Sequence, residues 1–160
     1  MSLMIGEKIP TFDHIEENVY LGDVESAQSI ELLTKHHIKI IINISNSRYK
    51  EYDYIEYHHM DIEDDKDVLI YPYFDFVNHL IRENKEKNIL IHCMNSVSRS
   101  VTLVLQYLMQ KRSLKDSYLY LISKREQYTR PNRGFIKQLF DKEKELYQIQ
   151  TMKYHDFYQK

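Results

Sequence analysis

The 160-residue chain has one cysteine, three glycines, three prolines and almost no net charge. Each scarcity excludes something. A single thiol cannot build a disulfide framework or a zinc site of several thiolates, and it suits a reduced, intracellular setting: the cytoplasm, with the nucleus open. No opening stretch combines the charged start and apolar core of a signal peptide, and no apolar run is long enough to span a bilayer. Met1-Ser2-Leu3 ahead of Met4 reads as an expression remnant before a native start. Asn43-Ile44-Ser45 fits the glycosylation pattern, which in an intracellular chain is chance. With 22 basic and 24 acidic residues the net charge is −2, so no general attraction to nucleic acid or anionic membrane is expected. Any anion site must be a local concentration of positive field.

What is present is globular. A hydrophobic fraction of 42% and a charged fraction of 29% give no pull toward disorder. No repeat, linker or low-complexity segment divides the chain, so one domain is expected. Ile15 and Val19-Tyr20-Leu21 are β-prone pieces around a Glu16-Glu17-Asn18 turn. From Val24 to His36, Ala27, Ile30 and Leu33, with His37 beyond, fall near helical spacing and predict one amphipathic helix. The β-branched run Lys39 to Ile44 reads as a strand buried on both faces, and Tyr54 to Met60 as another. Pro72 suits the first turn of a helix with Tyr73, Phe76, Val77, Leu80 and Ile81 on one face. Asn88 to His92 is a third buried strand, and Val101 to Met109 is apolar nearly all round, the pattern of an enclosed helix. Ser113 N-caps a helix bearing Leu114, Tyr118, Leu121 and Ile122, and a last helix carries Phe135, Leu139, Glu143 and Leu146. Strands alternating with helices predict an α/β fold: a largely parallel, mixed sheet of four to five strands flanked by helices. Ligands in such folds sit beyond the carboxyl ends of the strands. The Tyr-rich end, with Tyr147, Tyr154 and Tyr158, could pack on the domain, self-associate or stay disordered. Oligomeric state is left open.

The segment Ile91-His92-Cys93-Met94-Asn95-Ser96-Val97-Ser98-Arg99-Ser100 leaves a buried strand and enters a buried helix. Five residues between Cys93 and Arg99 are enough for a loop to curl around a tetrahedral anion. Amides of Met94, Asn95, Ser96, Val97 and Ser98 would then point inward, and the helix aims its positive end at the same spot. Such a field favours a thiolate, making Cys93 an exposed, oxidation-prone nucleophile. Arg99 offers a rigid fork to two phosphoryl oxygens. Ser100 can donate a hydrogen bond to the thiolate as it leaves, and His92 can orient the loop. The bland alternative is a small buried cysteine. His-Cys with Arg six places on arises by chance on the order of a few times per thousand, and here it falls in the required strand–loop–helix context.

His92-Cys93, five residues, then Arg99-Ser100 resembles the signature of the cysteine-dependent phosphatases. Asn18-Val19-Tyr20-Leu21-Gly22 is similar to the opening of dual-specificity members. So are Ser98-Arg99-Ser100 running into Thr102-Leu103-Val104 with Tyr107-Leu108-Met109, and Arg130-Pro131-Asn132-Arg133-Gly134-Phe135 with Gln138-Leu139. The resemblance covers about residues 12 to 147. It implies a metal-free, cofactor-free phosphatase-like fold acting on phosphoproteins, with Asn132 hydrogen-bonded to the phosphate-binding loop. An ordinary helix N-cap is the plain reading of Asn132. The family's general acid lies nine residues before a Tyr-Phe pair. Counting back from Tyr73-Phe74 reaches Asp64, in the acidic stretch Asp61 to Asp67, with Asp65 and Asp61 as fallbacks. The pairs His36-His37 and His58-His59 lack further ligands at metal-site spacing.

One departure stands out. Family members usually have glycine where this chain has Asn95-Ser96, and glycine permits positive φ. Ser96 is then either strained there, or spared because Asn95 takes the turn. Two readings follow: a protein phosphatase acting on phosphotyrosine and on phosphoserine or phosphothreonine, or a binding module that captures phosphoproteins with little turnover. A lipid- or RNA-end phosphatase is a weaker third, because relatives directed to lipids usually carry lysines in this loop.

Overall fold

The structure is a computed structural model and describes residues 9–158. The Met1-Ser2-Leu3 remnant lies outside the described residues. Five strands form one sheet in the order β1 (Phe12–Glu16), β2 (Val19–Gly22), β5 (Asn88–His92), β3 (Ile38–Asn43), β4 (Glu56–His59). The β1–β2 hairpin is antiparallel, and the other three pairings are parallel. The expected mixed sheet is therefore what forms.

Alternation, interrupted by an irregularity of β3 between Ile38 and Ile40, sorts the strand side chains to two faces. Val19, Leu21, Ile40, Ile42, Ile89 and Ile91 join the larger core, and Tyr20, Ile38, Ile41 and Leu90 the smaller. Against the larger core lie α3 (Phe74–Glu83), α4 (Arg99–Leu108), α5 (Leu114–Ser123) and α6 (Arg133–Tyr147). Every residue of α4 from Ser100 to Leu108 is buried, as its nearly uniform apolarity requires. Against the smaller core lie α1 (Val24–Ala27) and α2 (Ile30–Lys35).

Three helical expectations need correction. The single helix over Val24–His36 is broken at Gln28-Ser29, because the Ser29 hydroxyl accepts the Leu32 amide at 3.2 Å and starts α2 anew. Ile30 is consequently 53% exposed rather than core. In α3, a 3₁₀ turn over Tyr71–Tyr73 precedes the helix and shifts its phase. The inward face is Phe74, Val77, Asn78 and Ile81, while Tyr73 and Phe76 face outward. Ile122 of α5 is likewise exposed.

Glu143 settles the C-terminal tail. Its carboxylate is fully buried on α6, where it accepts the Leu114 amide (2.8 Å), the Thr151 amide (2.9 Å) and the Thr151 hydroxyl (2.6 Å). The tail thereby docks, placing Met152 and Phe157 in the larger core. Glu143→Ala should cost about 2–4 kcal/mol, since it strands buried donors. Urea denaturation should report that loss, and proteolysis should cut near residues 148–158. An unchanged urea midpoint would deny Glu143 this role.

Candidate active site

The carboxyl ends of β2, β5, β3 and β4 lie along one edge of the sheet, and the loops that follow them gather there. The central loop runs from Cys93 to Ser98, between β5 and α4. A loop of this kind binds an anion only if its carbonyls turn away. Each one here is held outward. The Cys93 carbonyl accepts from His92 Nδ1 (3.0 Å), Met94 from the Val24 amide (3.2 Å), and Asn95 from Gln127 Nε2 (3.1 Å). Ser96 accepts from Arg125 Nη1 (3.0 Å), Val97 from the Arg130 amide (3.0 Å), and Ser98 from the Thr102 hydroxyl (2.8 Å). Among the described residues, no amide of residues 94–99 donates to a protein acceptor, so these N–H groups remain for a ligand.

Cys93 lies at the floor of this cup, its Sγ 3.1 Å from the Ser100 hydroxyl. It is 2% exposed, which corrects the expectation of an exposed thiol. Arg99 Nη1 donates to the Ile62 carbonyl at 3.0 Å, which ties the guanidinium to the acidic loop. Among the described residues its buried Nε–H has no partner. A buried donor left so costs about 1–3 kcal/mol, a cost an anion would remove. Ser98 stands at the N-cap of α4 but makes no capping hydrogen bond. Its hydroxyl donates instead to Asp64 Oδ1 at 2.7 Å, so the helix's first amides stay uncapped.

Of the three acid candidates, Asp64 alone contacts the loop. Asp65 accepts the Asp67 amide within its own turn, and Asp61 pairs with Arg48 at 2.7 Å. Asp64 Oδ1 also accepts from Asn132 Nδ2 at 2.9 Å, leaving Oδ2 without a partner among the described residues. Asn132 both hydrogen-bonds the loop and caps a helix, as the two readings of it expect. Its backbone amide reaches the loop through the Ser98 hydroxyl (2.9 Å), while its side chain holds Asp64 and caps α6 through the Phe135 amide (2.9 Å). Gly134 lets the acidic loop come this close, because a Cβ there would collide with the Lys66 backbone. Gln138 secures the far end of that loop, accepting the Ile70 and Tyr71 amides, each at 2.9 Å.

The glycine-like position is Ser96, with φ of 61°. Asn95 does not take the turn. A left-handed serine costs about 1–2 kcal/mol. Its hydroxyl, however, accepts Arg125 Nη2 at 2.7 Å. A hydrogen bond to a charged group contributes about 1.5–3 kcal/mol, so the strain is offset.

Sequence reading missed Arg125, Gln127 and Tyr49. The first two sit in the polar run Lys124-Arg125-Glu126-Gln127, which carries no signal of burial. The Tyr49 hydroxyl lies 2.8 Å from His92 Nε2. Since His92 Nδ1 must donate to a carbonyl, Nε2 is the acceptor and Tyr49 donates. Burial pulls the His92 pKa down to about 4 and pushes that of Tyr49 up, so both are neutral near pH 7.

The sequence profile of the dual specificity phosphatase catalytic domain matches residues 19–145. The chain belongs to the dual specificity phosphatase family. It is 36% identical over 136 residues to MAP kinase phosphatase with leucine-rich repeats protein 1 of Dictyostelium discoideum, covering 84% of this chain and 16% of that one. Dual specificity protein phosphatase 21 of Homo sapiens is 32% identical over 150 residues, covering 91% of this chain and 78% of its own length. The chain thus spans about one sixth of the first relative and most of the second. A solved structure of the human tyrosine phosphatase-like serine/threonine/tyrosine-interacting protein superposes with a TM-score of 0.78 at 24% identity, over 87% of this chain and 99% of that chain. That likeness shows the fold alone.

The low pKa of His92 makes stability depend on pH. Unfolded, its pKa lies near 6.5, so between about 6.5 and 4 the unfolded state binds a proton that the folded state refuses. Stability should be intact above that window and fall as pH drops through it. Urea midpoints at pH 7 and pH 5 should differ less in His92→Asn than in the parent. Equal differences would assign the acid sensitivity elsewhere.

Proposed function

We propose that the chain is a protein phosphatase that hydrolyses phosphotyrosine, and phosphoserine or phosphothreonine, through a phosphocysteine intermediate. The observation that carries this reading is the loop whose carbonyls are all tethered outward around Cys93 Sγ. Asp64, bound to that loop through Ser98 and Asn132, favours an enzyme over a phosphate-binding module, because capture alone has no use for a tethered acid. Phosphoproteins are the substrate class that family membership suggests.

In the first step the Cys93 thiolate attacks phosphorus in line. The S–P bond forms as the ester P–O bond breaks, and the leaving oxygen takes the proton of Asp64. Arg99 and the amides of residues 94–99 bind the non-bridging oxygens, which carry the charge of the transferring group. In the second step Asp64 takes a proton from water, the water oxygen attacks phosphorus, and the S–P bond breaks. Inorganic phosphate leaves, and the Ser100 hydroxyl donates to the returning thiolate. His92, fixed by Tyr49, orients the Cys93 peptide and exchanges no proton. The chain's own residues supply every group this sequence requires.

Cys93→Ser should abolish turnover of an aryl phosphate while retaining phosphate binding, and Arg99→Lys should be nearly as damaging, because an ammonium lacks the two-point contact. Full activity in either would refute the mechanism. Asp64→Asn should slow esters with poor leaving groups by about 10²–10⁴-fold and activated ones much less. A leaving-group series measures this directly. The same dependence in Asp65→Asn, absent from Asp64→Asn, would transfer the acid role by one residue. Gly134→Ala should partly reproduce the Asp64→Asn pattern by pushing the acidic loop away.

A further inference from the structure

Arg125 follows α5 in a charged run that looks solvated, yet its side chain is entirely buried. Nε donates to Asp13 Oδ2 on β1 at 3.3 Å, and Nη1 reaches the Thr129 hydroxyl at 3.4 Å. The two shortest bonds go to one residue: Nη1 to the Ser96 carbonyl (3.0 Å) and Nη2 to the Ser96 hydroxyl (2.7 Å). Ser96 is also the loop residue with left-handed φ, and it is fully buried. A planar guanidinium bonded to both the carbonyl and the side chain of one residue fixes its ψ and χ1 together.

We propose that Arg125, anchored by Asp13, is a positioning residue for the phosphate-binding loop, and that the Ser96 hydroxyl is the handle by which it holds the left-handed turn. The inference rests on reading the loop as a phosphate site. If Ser96 relaxed to negative φ, the peptides on either side would rotate, and the amides of residues 96 and 97 would leave the cup. Glycine would reach the turn without strain, but it would also let the turn go. In this chain serine plus a buried arginine does what glycine's freedom does elsewhere, and does it with a fixed geometry. Arg125 touches no reacting atom. Its effect passes through Ser96.

A merely structural ion pair between Asp13 and Arg125 would behave differently. Ser96→Ala leaves that pair intact and removes the handle alone. The decisive measurement is the affinity for inorganic phosphate, by titration calorimetry, in the parent, Ser96→Ala, Ser96→Gly, Arg125→Lys and the double variant Ser96→Ala/Arg125→Lys. Phosphate should bind about tenfold more weakly in Ser96→Ala, beyond any loss of melting temperature, and more weakly in Ser96→Gly as well. The double variant should be no weaker than Arg125→Lys, because both changes break one linkage. Aryl phosphate kcat/KM should fall in step with phosphate affinity. Parental or tighter phosphate binding in Ser96→Gly or Ser96→Ala would overturn the proposal, as would additive losses in the double variant. Should Arg125→Lys fail to fold, the two Ser96 variants decide alone. A parent that binds phosphate but turns over no aryl phosphate contradicts the phosphatase reading and leaves this inference to the binding data. A parent that binds no phosphate contradicts both.

Discussion

A peptide unit has two polar ends, and tethering the carbonyls of residues 93–98 outward is what frees the opposite ends to face a ligand. The donors come from all sides: the residue before the loop, the start of α1, the first turn of α4, and the stretch between α5 and α6. No single element could supply them, because they must surround the loop. The sheet order provides that arrangement. With β5 central, β2 and β3 flank it in parallel, and the segments leaving all three strands emerge beside the same cup.

The stretch from Lys124 to Asn132 shows what this costs in regular structure. It forms neither helix nor strand, and its polar groups serve the loop instead. Gln127 holds the Asn95 carbonyl, Arg125 that of Ser96, the Arg130 amide that of Val97, and the Asn132 amide the Ser98 hydroxyl. A helix through here would spend the Arg130 and Asn132 amides on its own carbonyls. Asn132 then ends the irregular stretch by capping α6 while its other amide end holds Asp64. Loop shape and acid placement are therefore coupled through one residue, although Cys93 and Asp64 come from different strands' loops.

Much of this was legible in the residues, for identifiable reasons. The β-branched runs at Ile38–Asn43 and Asn88–His92 and the uniformly apolar α4 declare burial by composition alone. The Cys93–Arg99 spacing declares a loop because its chemistry requires adjacency in sequence. Asp64 lay beyond composition, since an acidic run reads as solvated charge, and it was reached by the family's count from Tyr73-Phe74. Arg125 was illegible: its partners Asp13 and Ser96 are 112 and 29 residues away, and local sequence says nothing about such meetings. The break at Ser29 and the phase of α3 were misread for a related reason. A capping serine and a 3₁₀ turn alter helix phase without altering the spacing of apolar residues. The tail was undecidable from its tyrosines because a glutamate on another element, Glu143, docks it.

That docking bears on the electrostatics of the site. The whole chain is slightly acidic, so an anion must be drawn by charges that nearby carboxylates do not cancel. Among the described residues, Arg99, Arg130 and Arg133 form no ion pair. The guanidinium of Arg130 lies 4.4 Å from the ring centre of Tyr128 and 4.7 Å from that of Tyr158, and Arg133 lies 3.9 Å from that of Tyr154. An aromatic face holds a cation through its quadrupole and leaves the net charge in place, whereas a carboxylate would hold it and neutralise it. Tyr154 and Tyr158 belong to the tail that Glu143 and Thr151 fix. The tyrosines of the C-terminal turn thus order two arginines flanking Asn132 while leaving their charge in place.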